Sequence, residues 1–132
     1  EFISILQKKG ILVGLVSGGF TPIVERLAKS LGISYFSANQ LEVKDGFLTG
    51  KLVGEIVTGQ VKQVTLEKWR KEFGFSKERT IAIGDGANDL LMLKTAGHGI
   101  AFCAKEVVKA EIACHVDTRD FLEVLPLLDF LA

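Results

Sequence analysis

The 132-residue sequence has no surplus of either charge: lysine and arginine total 16, and aspartate and glutamate total 16. That balance removes the electrostatic case for a nucleic-acid or membrane-surface partner, and any anion site has to be local. Cysteine is scarce as well. Cys103 and Cys114 lie in apolar surroundings (IAFCAK and EIACHV), with no Cys-x-x-Cys pair and no Cys-rich framework. They are expected to be buried, reduced thiols of an intracellular protein, not disulfide partners or metal ligands. No apolar run approaches the length of a membrane-spanning helix. The opening EFISILQKKG lacks a starting Met, and its apolar stretch is too short for a signal peptide. It reads as the end of an amphipathic helix, so the chain is expected to be part of something longer. Internal repeats, low-complexity segments and linkers are absent too.

What is present is an alternation of strand and helix signals at a length suited to one compact domain. ILVGLVS (11–17) has the continuous apolar pattern of a strand buried on both faces. Thr21 and Pro22 then open a helix that presents Val24, Leu27, Ala28 and Leu31 inward and stops at Gly32. ISYFSA (33–38) predicts a second strand, and 41–54 a hairpin turning at Asp45-Gly46. A helix is expected over 60–73, with Val61, Val64, Leu66, Trp69 and Phe73 inward and Gly74 closing it. RTIAIGD, HGIAFC and ACHVD predict three further strands, separated by short helices at ANDLLMLKTAG and 105–111. A last helix is expected from Thr118 onward, bent at Pro126, with Phe121, Val124, Leu125 and Leu128 inward. The fold class is therefore α/β: a three-layer, Rossmann-like, mainly parallel sheet with a β-hairpin insertion.

In open α/β sheets, ligands collect at the carboxyl ends of strands, where loops meet helix N-termini. Two such junctions are chemically unusual here. In VSGGF, Ser17 ends a strand, and Gly18 and Gly19 let the backbone approach an anion without a Cβ in the way. Their amides and the Ser17 hydroxyl are donors, helped by the dipole of the following helix. A plain strand-to-helix turn uses the same residue types. In IAIGDGANDL, Asp85 follows an apolar strand, so its carboxylate is expected in the loop crevice, with Gly84 and Gly86 allowing a tight turn. Asn88 and Asp89 fall near the start of the next helix. Mg²⁺ takes oxygen ligands and keeps several waters, so one or two carboxylates beside a phosphate suit it. Helix capping explains Asn88 or Asp89 but not Asp85 between two glycines.

Other polar residues carry less. Lys62, by residue type alone, reads as a solvated lysine like Lys68 and Lys71 on the same helix. His98 and His115 have no ligand spacing with each other or with cysteine, and are taken as structural. DGFLT (45–49) has Phe where a D-x-D-x-T nucleophile loop needs its second Asp, and no buried strand precedes it; it is a hairpin turn.

Taken in order, these residues resemble the haloacid dehalogenase-like phosphatases, and within them the phosphoserine phosphatase branch. VSGGF is similar to the family's second motif, Lys62 to its third and GDGANDLLML to its fourth. IAFCAK and TRDFLEVLPLL resemble that branch's C-terminal end. The resemblance implies a Mg²⁺-dependent, cytoplasmic enzyme of serine biosynthesis that hydrolyses a small phosphomonoester, L-phosphoserine. It implies that Ser17 and the Gly18 amide hold phosphoryl oxygens and that Lys62 neutralises charge there and orients the nucleophile. It further implies that Asn88 contacts the phosphate, Asp85 ligates Mg²⁺, and Asp89 supports the Mg²⁺ or Lys62.

One element of the family is missing. Its members attack with the first Asp of D-x-D-x-T, and IAIGDGAND, LEVKDGFLT and HVDTRDF all lack that pair. The cap that follows the nucleophile loop is missing as well. The resemblance thus covers roughly the last two thirds of such an enzyme, a single partial core domain over 1–132, incomplete at its N-terminus. This chain alone is expected to be inactive and prone to self-association. Two alternatives remain: a related small-molecule phosphatase, and a non-catalytic phosphate-binding module.

Overall fold

The computed structural model describes residues 1–131, and within these the side chains of 130 and 131 are left aside. Contacts group the chain into two compact units, the first Glu1–Thr58 and the second from Gly59 onward.

The first unit runs α1 (Phe2–Lys8), β1 (Gly14–Phe20), α2 (Thr21–Ser30), β2 (Tyr35–Lys44) and β3 (Phe47–Val53). Its sheet order is β1-β2-β3. β2 is ten residues long because it serves two ladders. Its first half pairs parallel with β1, and its second half pairs antiparallel with β3. The expected strand over 33–38 and the first arm of the hairpin are thus one continuous element. Asp45 (φ 52°) and Gly46 (φ 82°) both sit in the left-handed region, which is the backbone of a type I′ turn. Lys44 faces Phe47 across it, so DGFLT is a hairpin turn, as its composition indicates.

β1 begins three residues later than expected and continues through SGGF to Phe20. The delay has a local cause. Gly10 and Ile11 finish α1: the Gly10 amide donates to Gln7 O (3.0 Å) and the Ile11 amide to Leu6 O (3.0 Å). This is a Schellman motif, and Gly10 takes the left-handed backbone it needs. Gly32 and Gly74 end α2 and the helix over 59–72 in the same way, with Ile33 donating to Ala28 and Phe75 to Arg70. β1 is also only partly buried, not buried on both faces.

The second unit runs α3 (Gly59–Glu72), β4 (Ile81–Gly84), α4 (Leu90–Thr95), β5 (His98–Phe102), α5 (Glu106–Lys109) and β6 (His115–Val116), closed by a 3₁₀ helix over Phe121–Leu131. The three strands are all parallel, in the order β4-β5-β6. Their core is a small buried cluster: Ala82, Met92, Leu93, Ala96, Ala101, Val108 and Ile112. The α/β class is therefore the observed one, with mainly parallel pairing and one antiparallel hairpin, but the strands form two three-stranded sheets where one sheet was expected.

Several side chains depart from expectation. Val64 is exposed, and the one buried residue of α3 is Lys62. Phe121 is exposed as well and stacks on Phe102, with ring centroids 4.1 Å apart. The last helix starts at Phe121, not Thr118, because Asp120 is its cap: Oδ1 accepts the Leu122 amide and the carbonyl accepts the Glu123 amide. Cys103 and Cys114 are free, as expected, but only partly buried.

Candidate active site

The second unit gathers four of the residues singled out by sequence. β4 ends at Gly84, and Asp85 and Gly86 lead into a single 3₁₀ turn over Ala87–Asp89 that feeds α4. Asp89 is buried, and its two oxygens do different work. Oδ1 lies 2.7 Å from the Lys62 ammonium, itself only 6 % exposed on α3. Oδ2 accepts the backbone amides of Asp85 (3.0 Å) and Gly86 (3.2 Å). A carboxylate seated in two successive amides makes the loop a small anion nest, with Asp89 as its resident anion. Capping and ion pairing are therefore both realised by this one residue.

The glycines here are needed for room. The chain does turn tightly here, with the Asp89 amide donating to the Gly86 carbonyl (2.9 Å), but neither Gly84 nor Gly86 has a left-handed backbone. A Cβ on Gly84 would stand 2.7 Å from the Asp89 carboxylate carbon, and one on Gly86 2.8 Å from Asn88 Oδ1. Gly59, at the start of α3, is under the same constraint: its Cβ would lie 2.9 Å from the Asn88 carbonyl. The sequence reading passed over Gly59, whose only signal is a glycine opening the helix that carries Lys62.

Asp85 is placed differently. Its amide is tied to Asp89 and its carbonyl accepts the Lys105 amide (3.1 Å), yet its side chain is exposed. That carboxylate takes no hydrogen bond or ion pair from any described residue. Asn88 is exposed beside it. For a hard cation, the fit is partial. Asp85 is an available oxygen ligand at a strand's carboxyl end, whereas Asp89 is committed to Lys62 and the loop amides. Among the described residues no group of three His, Cys, Asp or Glu could hold a metal ion.

The electrostatics of Asp89 follow from these contacts. Burial pushes its pKa up, but the Lys62 hydrogen bond and the two amides outweigh this and hold it below the ordinary carboxylate value. A group with a lowered folded pKa stabilises the fold above its unfolded pKa, about 3.9, and loses that contribution as pH falls through the folded value. Thermal melts of the chain and of Asp89→Asn from about pH 6 down to about pH 2 should therefore converge below about pH 4. A gap that stays constant across that range would mean the charge on Asp89 contributes nothing.

Ser17 and Gly18 belong to the first unit. Between Val16 and Phe20 the β1 ladder is irregular: four residues of β1 advance against the two that separate Ser37 from Asn39 on β2. The surplus bulges out as Ser17, Gly18 and Gly19. The Gly19 amide donates to Ser17 Oγ (2.9 Å), which leaves the hydroxyl hydrogen free to point elsewhere. Gly18 is exposed, with nothing within 4 Å of where a Cβ would be. α2 follows at once, with Phe20 as its N-cap and Pro22 in its first turn. An open, glycine-lined bulge feeding a helix N-terminus is the form expected of an anion loop.

The model of the haloacid dehalogenase-like hydrolases matches residues 1–94. The chain belongs to that family. It is 54 % identical over 129 residues to the phosphoserine phosphatase of Streptococcus thermophilus, covering 98 % of this chain and 60 % of that protein. A solved structure of a probable phosphoserine phosphatase from Vibrio cholerae superposes with a TM-score of 0.92 at 36 % identity, covering 97 % of this chain and 40 % of that one. The structure of a phospho-aspartyl intermediate analogue of phosphoserine phosphatase matches with a TM-score of 0.89 at 44 % identity, covering 95 % and 60 %. The chain thus spans about 60 % of the length of the curated relatives it matches first.

Proposed function

We propose that these residues are the phosphate- and metal-handling part of a Mg²⁺-dependent phosphoserine phosphatase, one core domain over 1–132 that works with a nucleophile it does not itself contain. The observation that carries the reading is the buried Lys62–Asp89 pair beside the exposed Asp85 carboxylate at the end of β4. Burying a lysine is expensive, and a solvated face would have served α3 equally well. Lys62 held by Asp89 is a fixed cation, and Ser17 and the Gly18 amide are fixed donors. Such groups stabilise the equatorial oxygens of a phosphoryl group in transfer. Asn88 adds a polar contact. Mg²⁺, when bound at Asp85, supplies further positive charge on the phosphoryl oxygens. Asp89 acts mainly through Lys62.

The attacking group is a carboxylate, in line with the phospho-aspartyl analogue described for a relative. The sequence of these 132 residues holds no D-x-D-x-T to provide it. β1 and β4, the strands that lead into the two loops, are each the outer strand of their sheet and so have an unpaired edge for a further strand. L-Phosphoserine is the substrate this reading names. A cytoplasmic setting accords with the reading, and no helix among the described residues is long and apolar enough to cross a membrane.

The test is phosphate release from L-phosphoserine, with and without Mg²⁺, by the polypeptide that joins these residues to a nucleophile-bearing segment. Mg²⁺-dependent turnover, preferring L-phosphoserine over other small phosphomonoesters, is expected. Preference for another phosphomonoester would favour the wider phosphatase reading, and phosphate binding without turnover would favour a binding module. The metal is a separate check. Of the two candidate ligands only Asp85 is uncommitted, so calorimetry of the 132-residue chain should show Mg²⁺ binding on the order of millimolar or weaker. Micromolar binding would mean that other ligands exist.

A further inference from the structure

Asn39 is a buried polar residue, 7 % exposed, in the middle of the first unit, and none of the roles above uses it. Its side chain makes two bonds of opposite sense. Nδ2 donates to the Gly18 carbonyl (3.0 Å), and Oδ1 accepts the buried Val57 amide (2.7 Å). A carbonyl can only accept and an amide N–H can only donate, so the two partners fix the orientation of the Asn39 amide. Its own carbonyl accepts the Thr21 hydroxyl (3.1 Å) at the start of α2. One residue thus ties together the bulge, the first turn of the helix after it, and the loop that follows β3, at Val57.

We propose that Asn39 is the positioning residue of the phosphate loop, acting on the substrate through Ser17. The proposal rests on the reading of Ser17 and Gly18 as phosphate-holding groups. The peptide joining Gly18 and Gly19 is trans, so its carbonyl and its N–H point in opposite directions. When Asn39 holds the Gly18 oxygen, the Gly19 N–H is aimed the other way, at Ser17 Oγ, which it reaches at 2.9 Å. That bond occupies a lone pair of Ser17 and leaves the hydroxyl proton for a phosphoryl oxygen. The series Asn39 to Gly18, Gly19 to Ser17 and Ser17 to phosphate runs in one donor direction, so each bond polarises the next. Without the first, a glycine-rich bulge has no side chain of its own to keep the peptide plane fixed.

Asn39→Asp separates this role from simple support, because it keeps an oxygen for the Val57 amide while setting a carboxylate oxygen against the Gly18 carbonyl. In the active polypeptide, these residues joined to a nucleophile-bearing segment, it should lower kcat/KM for L-phosphoserine roughly tenfold to a hundredfold. Ser17→Ala should lower it comparably, and the double variant should fall little below the worse single one, since both act on the same bond. Effects that multiply would overturn the proposal, as would Asn39→Asp with unchanged kcat/KM in a background where Ser17→Ala is impaired. Unchanged activity in Ser17→Ala itself would remove the parent reading and this inference with it. Should Asn39→Asp fail to fold, the unaltered protein decides. Titrated with inorganic phosphate, its Asn39 side-chain amide should shift together with the Gly18 and Gly19 amides, and a still Asn39 beside moving glycines would refute it.

Discussion

Lys62→Ala, in the polypeptide joined to a nucleophile-bearing segment, should lower kcat/KM for L-phosphoserine by roughly 10²–10³. Lys68→Ala should leave it nearly unchanged. Both residues lie on α3, but only Lys62 is buried and paired, whereas Lys68 is exposed. On the proposed function, removing Lys62 takes a fixed cation away from the transferring charge, and it also strands Asp89, buried, without its ion-pair partner. Breaking a buried pair from one side costs about 3–5 kcal/mol, so stability should fall as well. The two losses can be told apart. Lys62→Met/Asp89→Asn removes both charges, keeps an oxygen for the Asp85 and Gly86 amides, and should recover part of the lost stability, though not the activity. If Lys62→Ala and Lys68→Ala have equal effects on kcat/KM, the phosphate site has been misplaced.

The 132-residue chain alone should release no phosphate from L-phosphoserine above background, with or without Mg²⁺. Positioned cations and donors lower the barrier to a displacement only when something displaces. Asp89 is spent on Lys62 and the loop amides, Asp45 sits in a hairpin turn, and the free Asp85 carboxylate is the one this reading gives to Mg²⁺. None of the three is left as a nucleophile. Exposed Val43, Phe47 and Leu48 on the hairpin also make self-association of the lone chain expected, readable by light scattering during the same assay.

Much of this architecture was legible because local rules act over a few residues. Asp45-Gly46 fixes a two-residue hairpin, and Gly10, Gly32 and Gly74 end helices by the same pair of backbone bonds. GDGAND likewise marks the end of a strand whatever lies around it. What could not be read depends on atoms far apart in sequence. Lys62 is indistinguishable from Lys68 until Asp89, 27 residues later, folds back toward it. Gly84 and Gly86 suggest a turn, but their reason is the bulk of Asp89 and Asn88 pressed against them. Val64 fits the apolar stripe of a helix and still faces solvent, because Lys62 takes the buried position on α3. The strand over 11–17 was misplaced because the ending of α1 consumes the first residues after Gly10. Asn39 gave no signal, since an asparagine in a strand shows its value only through Gly18 and Val57.

Complementation tests the central claim most directly. The 132-residue chain is co-expressed with a separate segment that carries a D-x-D-x-T strand, and Mg²⁺-dependent phosphate release from L-phosphoserine is measured for each piece and for the pair. Neither piece alone should turn over, and the pair should, with activity lost on Asp85→Ala and lowered roughly tenfold to a hundredfold on Ser17→Ala in the chain. Turnover by the lone chain at a rate matching the pair, abolished by Asp85→Ala, would contradict the account.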